Sequence, residues 1–93
     1  MSYAKRADKN QPELVKAMRD VGAMVFVTHR IGKGFPDCVV LFRGKVYLVE
    51  IKTENGTLTE DEEMFMHECE HHGVKYWIVR TVDGCLRMLG VME

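Results

Sequence analysis

The sequence lacks any apolar run approaching the roughly 20 residues that a membrane-spanning helix needs, and it has only three cysteines and two prolines. We therefore expect a soluble protein that contacts no membrane. A small, odd number of cysteines argues against a disulfide framework and is typical of a reduced, intracellular setting, here the cytoplasm. No charged start is followed by an apolar stretch and a cleavage site, so nothing indicates export. A chain of 93 residues has the length of one domain, residues 1–93.

Net charge is also nearly absent, at −1, but the two signs are unevenly distributed. Residues 1–45 hold nine Lys and Arg against four Asp and Glu, whereas residues 46–93 hold four against ten. The asymmetry indicates one face that attracts anions and one that faces water, or else ordinary solvated charge. Residues 1–11 are polar and basic without periodicity, which predicts a flexible basic arm.

Apolar spacing and turn residues predict the element order α-β-β-β-α-β-α. A first helix begins at Pro12, and a second, over residues 60–72, begins with a capping box formed by Thr59 and Glu62. Strands are predicted over residues 23–28, 37–42, 45–52 and 74–80, with a glycine-rich loop over residues 29–36. The last stretch favours a short helix, although its Asp-Gly pair is also typical of a hairpin turn.

The predicted hairpin over residues 37–52 is apolar on both faces. Side chains alternate along a strand, so Val40 and Val49 point one way while Val39 and Leu48 point the other. A sheet that is apolar on both faces is a central sheet with helices on each side. The fold class predicted is therefore α/β, with a mixed central sheet flanked by helices.

Charged side chains gather at one end of this hairpin. If Arg43-Gly44 forms a two-residue turn, Asp37 faces Glu50 across the strands, with Cβ atoms about 5 Å apart. Lys52 lies on the same face, two residues beyond Glu50. Opposed carboxylates repel each other, so this register is unfavourable unless a cation lies between them.

A divalent metal ion would remove that conflict. Mg²⁺ and Mn²⁺ prefer oxygen ligands and commonly take one or two carboxylates, which Asp37 and Glu50 provide, and the carbonyl of Ile51 is a further candidate ligand. Lys52 would then orient the attacking water or steady a phosphate. The alternative is a surface ion pair between Glu50 and Lys52, with Asp37 as an ordinary loop residue.

Three motifs in this order resemble those of a known superfamily: Gly34-Phe35-Pro36-Asp37, Glu50-Ile51-Lys52, and Leu58-Thr59 opening a helix. They are similar to the PD-(D/E)XK nucleases, whose shared core is the α-β-β-β-α-β order of a restriction-endonuclease-like fold. More narrowly, the chain resembles the VRR-NUC domains of virus-type replication and repair nucleases. The likeness runs from about residue 12 to about residue 81.

The resemblance implies roles for named residues. It implies that Asp37 and Glu50 bind the metal, Mg²⁺ or Mn²⁺, and that Lys52 assists the chemistry. A glutamate on the first helix often contributes in the family, which makes Glu13 a candidate, although a glutamate there is also favoured by the helix dipole. The family's glutamine position falls on Glu62, which would bind metal through water or simply cap the helix.

The implied activity is metal-assisted hydrolysis of a DNA phosphodiester. For short members of the family, the resemblance further implies homodimers that cut branched DNA such as four-way junctions. Basic residues near the predicted site support a DNA partner: Arg30 and Lys33 lie in the loop before Asp37, and Lys5, Arg6 and Lys9 lie in the arm.

A competing motif is His67-Glu-Cys-Glu-His71, which matches the HExxH signature of zinc peptidases. On a helix, both histidines should point to solvent, opposite the apolar face, and no histidine after His72 is left to serve as a third ligand. A zinc peptidase is therefore a remote alternative. The main alternative to a nuclease is a module without catalytic activity, which either binds DNA or contacts a partner protein. Such a module would not hydrolyse DNA.

Overall fold

The computed structural model describes residues 9–93, in which three helices pack against a four-stranded mixed sheet. In chain order the elements are α1 (Gln11–Asp20), β1 (Met24–Val27), a 3-10 turn (His29–Ile31), β2 (Cys38–Phe42), β3 (Lys45–Ile51), α2 (Glu60–His71), β4 (Tyr76–Val79) and α3 (Val82–Leu89). The predicted order and the α/β class are confirmed. Most of the predicted basic arm lies outside the described residues. Among these three helices, none has both the length and the apolarity to cross a membrane.

The helix ends follow the capping signals in the sequence. Pro12 lies in the first turn of α1. Backbone N–H groups in a first turn have no partner within the helix, so proline, which lacks this group, is tolerated there. The capping box of α2 is formed, since Thr59 and Glu62 each accept a hydrogen bond from the other's backbone N–H. The final element is a helix, because Thr81 caps it and accepts a bond from Gly84 N–H, so the Asp-Gly pair forms no hairpin.

The hairpin register agrees with the prediction from turn length. Phe42 pairs with Lys45, and Cys38 pairs with Val49 at the far end. Arg43 and Gly44 have φ angles of 49° and 81°, the positive values that a two-residue type I′ hairpin turn requires at both positions. The strand order is β1-β2-β3-β4, and α2 connects β3 to a parallel β4.

One face of the sheet forms the main core against α1 and α3. Leu14 and Met18 of α1 are buried, as are Cys85 and Leu89 of α3. The sheet contributes alternate residues, as strand geometry requires. These buried side chains are Val25, Cys38, Val40, Phe42, Tyr47, Val49, Ile51 and Val79. Burial of this set is the largest apolar contribution to folding.

The second face is covered unequally. α2 lies over β4, where the ring of Phe65 contacts those of Phe35 and Tyr76. A helix is about 10 Å wide and strands are about 4.8 Å apart, so one helix covers about two strands. Helices thus lie on both faces, as predicted. α2 does not cover the whole of the second face, because Phe26 and Val46 there are more than half exposed.

Burial predicts low reactivity for two of the three cysteine thiols. Burial is the main factor that raises the pKa of Cys38 to about 12 and that of Cys85 to about 11, from an ordinary 9.0. We expect neither thiol of the native protein to react with a disulfide reagent at pH 8 within minutes, and all three to react in guanidinium. The contribution of the protonated thiols to stability is complete below pH 9.0 and declines as the pH rises toward 11 for Cys85 and toward 12 for Cys38. Rapid labelling of Cys38 or Cys85 in the native state would contradict this packing.

Candidate functional site

Three charged side chains meet at one end of the sheet, beneath the first turn of α2. Asp37 immediately precedes β2, Glu50 lies in β3 and Lys52 directly follows it. Their exposed fractions are 2%, 0% and 7%. Charged residues are almost never this buried unless they are paired or bind a ligand. Their convergence is therefore the first mark of a functional site.

Asp37 is held by the end of strand β3. Its Oδ2 accepts a hydrogen bond from the N–H of Ile51 at 2.8 Å. The loop before it is held as well, because the N–H of Thr28 donates to Asp37 O at 2.7 Å and the Thr28 hydroxyl donates to Pro36 O at 2.8 Å. The Asp37 carboxylate therefore lies beside the end of β3, next to the residue that follows Glu50.

Lys52 joins the sheet to α2. Its Nζ lies 3.5 Å from Oε2 of Glu50 and 2.7 Å from Oε1 of Glu62. Both carboxylate side chains are almost fully buried. Each contact is a charge-assisted interaction in a place of low dielectric, where the pairing offsets only part of the desolvation cost. The ammonium group is thus fixed between the two elements.

Glu62 has two functions in this arrangement. Its Oε1 accepts the Thr59 N–H at 2.9 Å, which caps α2, and the same oxygen pairs with Lys52. A capping glutamate is ordinarily at the surface, but this one is 1% exposed. The structure therefore brings Glu62 into the cluster with Glu50 and Lys52, through the lysine.

Tyr76, at the start of β4, also reaches the cluster and was missed in the sequence. Its hydroxyl donates toward Oε1 of Glu50 at 3.2 Å and toward the carbonyl of Gly34 at 3.4 Å. Burial, and then the nearby Glu50 charge, raise the pKa of Tyr76, so the phenol keeps its proton. In the parallel pairing of β3 with β4, Tyr76 pairs with Leu48, which lies two residues before Glu50. Tyr76 and Glu50 therefore point to the same face of the sheet, and only this pairing reveals it.

The loop after Lys52 is held by a second residue that the sequence did not single out. One guanidinium nitrogen of Arg80 donates to the carbonyls of Thr53 and Gly56, each at 2.7 Å. Asn10 completes this corner, because its Nδ2 donates to Lys52 O at 3.2 Å and to Arg80 O at 3.1 Å. The backbone that carries Lys52 is therefore tied to the start of α1.

Glu13, the candidate on α1, lies outside the buried cluster. It is exposed and lines an open cleft of about 630 Å³ with Lys9, Glu54 and Arg80. Its catalytic role remains a prediction.

The predicted DNA-contacting residues within the described range are all exposed. Arg30 and Lys33 lie in the loop before Asp37, and Lys9 precedes α1. Lys33 also lines an open cleft of about 490 Å³ beside the first turn of α2. Lys5 and Arg6 lie outside the described residues.

The donor chemistry of the cluster fits a hard divalent cation. Asp37 and Glu50 carry carboxylates, which are the oxygen donors that Mg²⁺ and Mn²⁺ prefer, and the carbonyl of Ile51 stays a predicted ligand. Across residues 9–93, no three or more His, Cys, Asp or Glu side chains are grouped to hold a metal by themselves. Two carboxylates nevertheless suffice for Mg²⁺, which usually keeps several waters and takes oxygens from substrate phosphate.

The HExxH histidines are placed differently. His67 and His71 are exposed on α2, and Glu68 of the motif pairs with His72, Oε1 to Nε2 at 3.5 Å. Within residues 9–93, the histidines of this helix form no group of three or more His, Cys, Asp or Glu side chains that could hold a metal ion. The geometry gives no support to a zinc peptidase, which needs a third ligand and a cleft.

Comparison with known proteins supports the interpretation of the motifs. The family model described as the VRR-NUC domain matches residues 2–83. A solved structure described as a VRR-NUC domain superimposes with a TM-score of 0.71 at 20% sequence identity, covering 89% of this chain and 97% of that one. At this identity the structural match shows a shared fold. A comparison with curated proteins finds no match.

Gly34 offers a test of how the loop before Asp37 packs against α2. A Cβ at Gly34 would lie 2.2 Å from the backbone oxygen of Asp61, whereas one at Gly44, which has the same φ of +81°, would meet nothing within 4 Å. Both Ala substitutions are strained by positive φ, but only Gly34→Ala adds a backbone clash. We expect it to lower the free energy of unfolding by about 1–3 kcal/mol more than Gly44→Ala, measured by urea denaturation. Equal losses would show that the contact is not needed.

Proposed function

The chain belongs to the VRR-NUC family of nuclease domains, and from this premise we propose that it is a metal-dependent DNA endonuclease that hydrolyses phosphodiester bonds. The observation that carries the proposal is the convergence of Asp37, Glu50 and Lys52 at one end of the sheet, each no more than 7% exposed. Burying these charges has a large free-energy cost. A catalytic requirement explains why the chain bears that cost.

The proposed roles follow from the contacts of each residue. Asp37 and Glu50 hold Mg²⁺ or Mn²⁺ together with the carbonyl of Ile51. When bound, such an ion supplies Lewis acidity to the phosphate and to the attacking water. Lys52, fixed by Glu50 and Glu62, places a compact positive charge where negative charge develops on the phosphate. Water adds to phosphorus and loses a proton as the bond to the 3′ oxygen breaks, and the 3′ oxygen takes up a proton, which leaves a 5′-phosphate and a 3′-hydroxyl.

The charges around the site indicate how DNA approaches. Arg30 and Lys33 are exposed in the loop that leads to Asp37, and Lys9 is exposed near α1. Phosphate contacts of this kind give affinity without sequence preference. The first turn of α2 is acidic, and its exposed Glu60 repels phosphate on the side of the cleft opposite Lys33. The DNA backbone is therefore expected on the basic loop, joined by Lys5 and Arg6 of the arm.

We also propose that the active form is a homodimer and that its preferred substrate is branched DNA. The open face of the sheet supports the dimer: Met24, Phe26 and Val46 are more than half exposed there and form an apolar patch of the kind that marks interfaces. Exposed Arg43 and Lys45 make the rim of this patch basic, while α2 beside it is acidic. A two-fold axis would place the basic rim of each copy against the acidic α2 of the other copy.

Cleavage assays test the catalytic proposal. We expect the wild type, with Mg²⁺ or Mn²⁺, to cut DNA, and a four-way junction faster than a linear duplex. Asp37→Asn keeps an oxygen that can accept the Ile51 N–H but removes the charge, so we expect the cleavage rate to fall by at least about 100-fold. Lys52→Met, of similar shape, should cause a loss of the same order.

Asp20→Asn and Lys16→Met are matched controls, because these residues form an exposed pair on α1 away from the site. Both controls should cut at the wild-type rate. A wild type that leaves every DNA intact would indicate a non-catalytic DNA-binding or interaction module. Wild-type cleavage by Asp37→Asn or Lys52→Met would show that the assigned residues are wrong.

Sedimentation tests the dimer. We expect the wild type to sediment at twice the chain mass and Val46→Lys to sediment as a monomer, because a lysine at this position would be buried in the apolar centre of the interface. Met64→Lys is the matched control, since Met64 on α2 is 63% exposed and Val46 is 66% exposed. A monomeric wild type, or a Val46→Lys variant that remains dimeric, would contradict the interface.

A further inference from the structure

The hydroxyl of Tyr76 lies between the two segments that carry the metal-binding carboxylates. It is 3.2 Å from Oε1 of Glu50 on β3 and 3.4 Å from the carbonyl of Gly34, three residues before Asp37. The side chain is 6% exposed, and its ring packs against Phe65 of α2 with centroids 5.9 Å apart. The phenol oxygen is therefore held in place by the core rather than by solvent.

We propose that Tyr76 is a positioning residue that orients the Glu50 carboxylate for the divalent cation, an inference that rests on the proposed function. The terminal torsion of a glutamate is broad, so an isolated carboxylate would rotate. Here Oε1 receives the Tyr76 hydroxyl, while Lys52 Nζ lies 3.5 Å from Oε2. The two oxygens thus have different partners, which defines the plane of the group.

The hydroxyl has one proton for two acceptors. A carboxylate oxygen accepts a stronger hydrogen bond than a carbonyl does, and the Glu50 oxygen is also the nearer acceptor. The bond to Glu50 therefore dominates, and the Gly34 carbonyl keeps the hydroxyl on the side of the loop before Asp37. Groups that orient metal ligands in this way commonly contribute a factor of about 10–100 to metal affinity or activity.

The experiment removes the hydroxyl and keeps the ring. Tyr76→Phe retains the packing on Phe65, and Tyr47→Phe is the matched control, because Tyr47 is equally buried on the opposite face of β3, against Trp77. We expect calorimetry with MnCl₂, without DNA, to give a dissociation constant raised about tenfold in Tyr76→Phe and unchanged in Tyr47→Phe. In cleavage, kcat should fall while KM for DNA stays constant.

A Mn²⁺ dissociation constant within twofold of the wild type for Tyr76→Phe would overturn the inference, as would a wild type that binds no Mn²⁺. Binding of Mn²⁺ without cleavage of any DNA would instead contradict the nuclease proposal, and the comparison of the two variants would still decide the role of Tyr76.

A second measurement uses the wild-type protein and does not depend on the folding of a variant. With tyrosine labelled by ¹³C at Cζ, the NMR signal of Tyr76 should shift when MgCl₂ is added, because its hydroxyl bonds to a carboxylate that gains a cation. The Tyr47 signal should not move. A Tyr76 signal that stays constant at a Mg²⁺ concentration that supports cleavage would refute the positioning role.

Discussion

Lys52 is the charge on which the rest of the site depends. It lies between Glu50 of the sheet, at 3.5 Å, and Glu62 of α2, at 2.7 Å, and all three side chains are nearly buried. Without the ammonium group, α2 would bring a carboxylate against a sheet that already holds two. Removing one partner of a buried pair costs about 3–5 kcal/mol. The docking of α2, the end of β3 and the chemical site therefore form one electrostatic unit.

This unit buries charged side chains, which folded proteins ordinarily leave in water, but it does so on one face of the sheet only. The opposite face of the sheet buries an apolar set of side chains against α1 and α3, so it supplies stability without special chemistry. The site face instead buries Asp37, Glu50, Lys52 and Glu62. Proteins accept such departures where function requires them and compensate elsewhere in the fold. The division between the two faces explains how a short chain can carry a charged cluster and remain folded.

Much of this arrangement was predictable because its causes are local. The two-residue turn at Arg43-Gly44 determines the pairs of the hairpin as far as Cys38 and Val49, so the position of Asp37 beside the end of β3 followed from counting residues. The capping box of α2 is equally local. Tyr76 and Arg80 were missed, because their partners lie 24 to 42 residues away in the chain, and no periodic pattern records contacts of that kind.

The sequence by itself determined the element order, the hairpin register and the charged end of the sheet, because periodicity, turn geometry and capping act over a few residues. Only the tertiary structure decided that Glu62 pairs with Lys52, that Tyr76 reaches Glu50, and that Glu13 lies in an exposed cleft. These outcomes depend on how α2 and β4 return to the sheet and on where α1 packs. The packing of whole elements sets those positions through long-range contacts that local spacing does not encode.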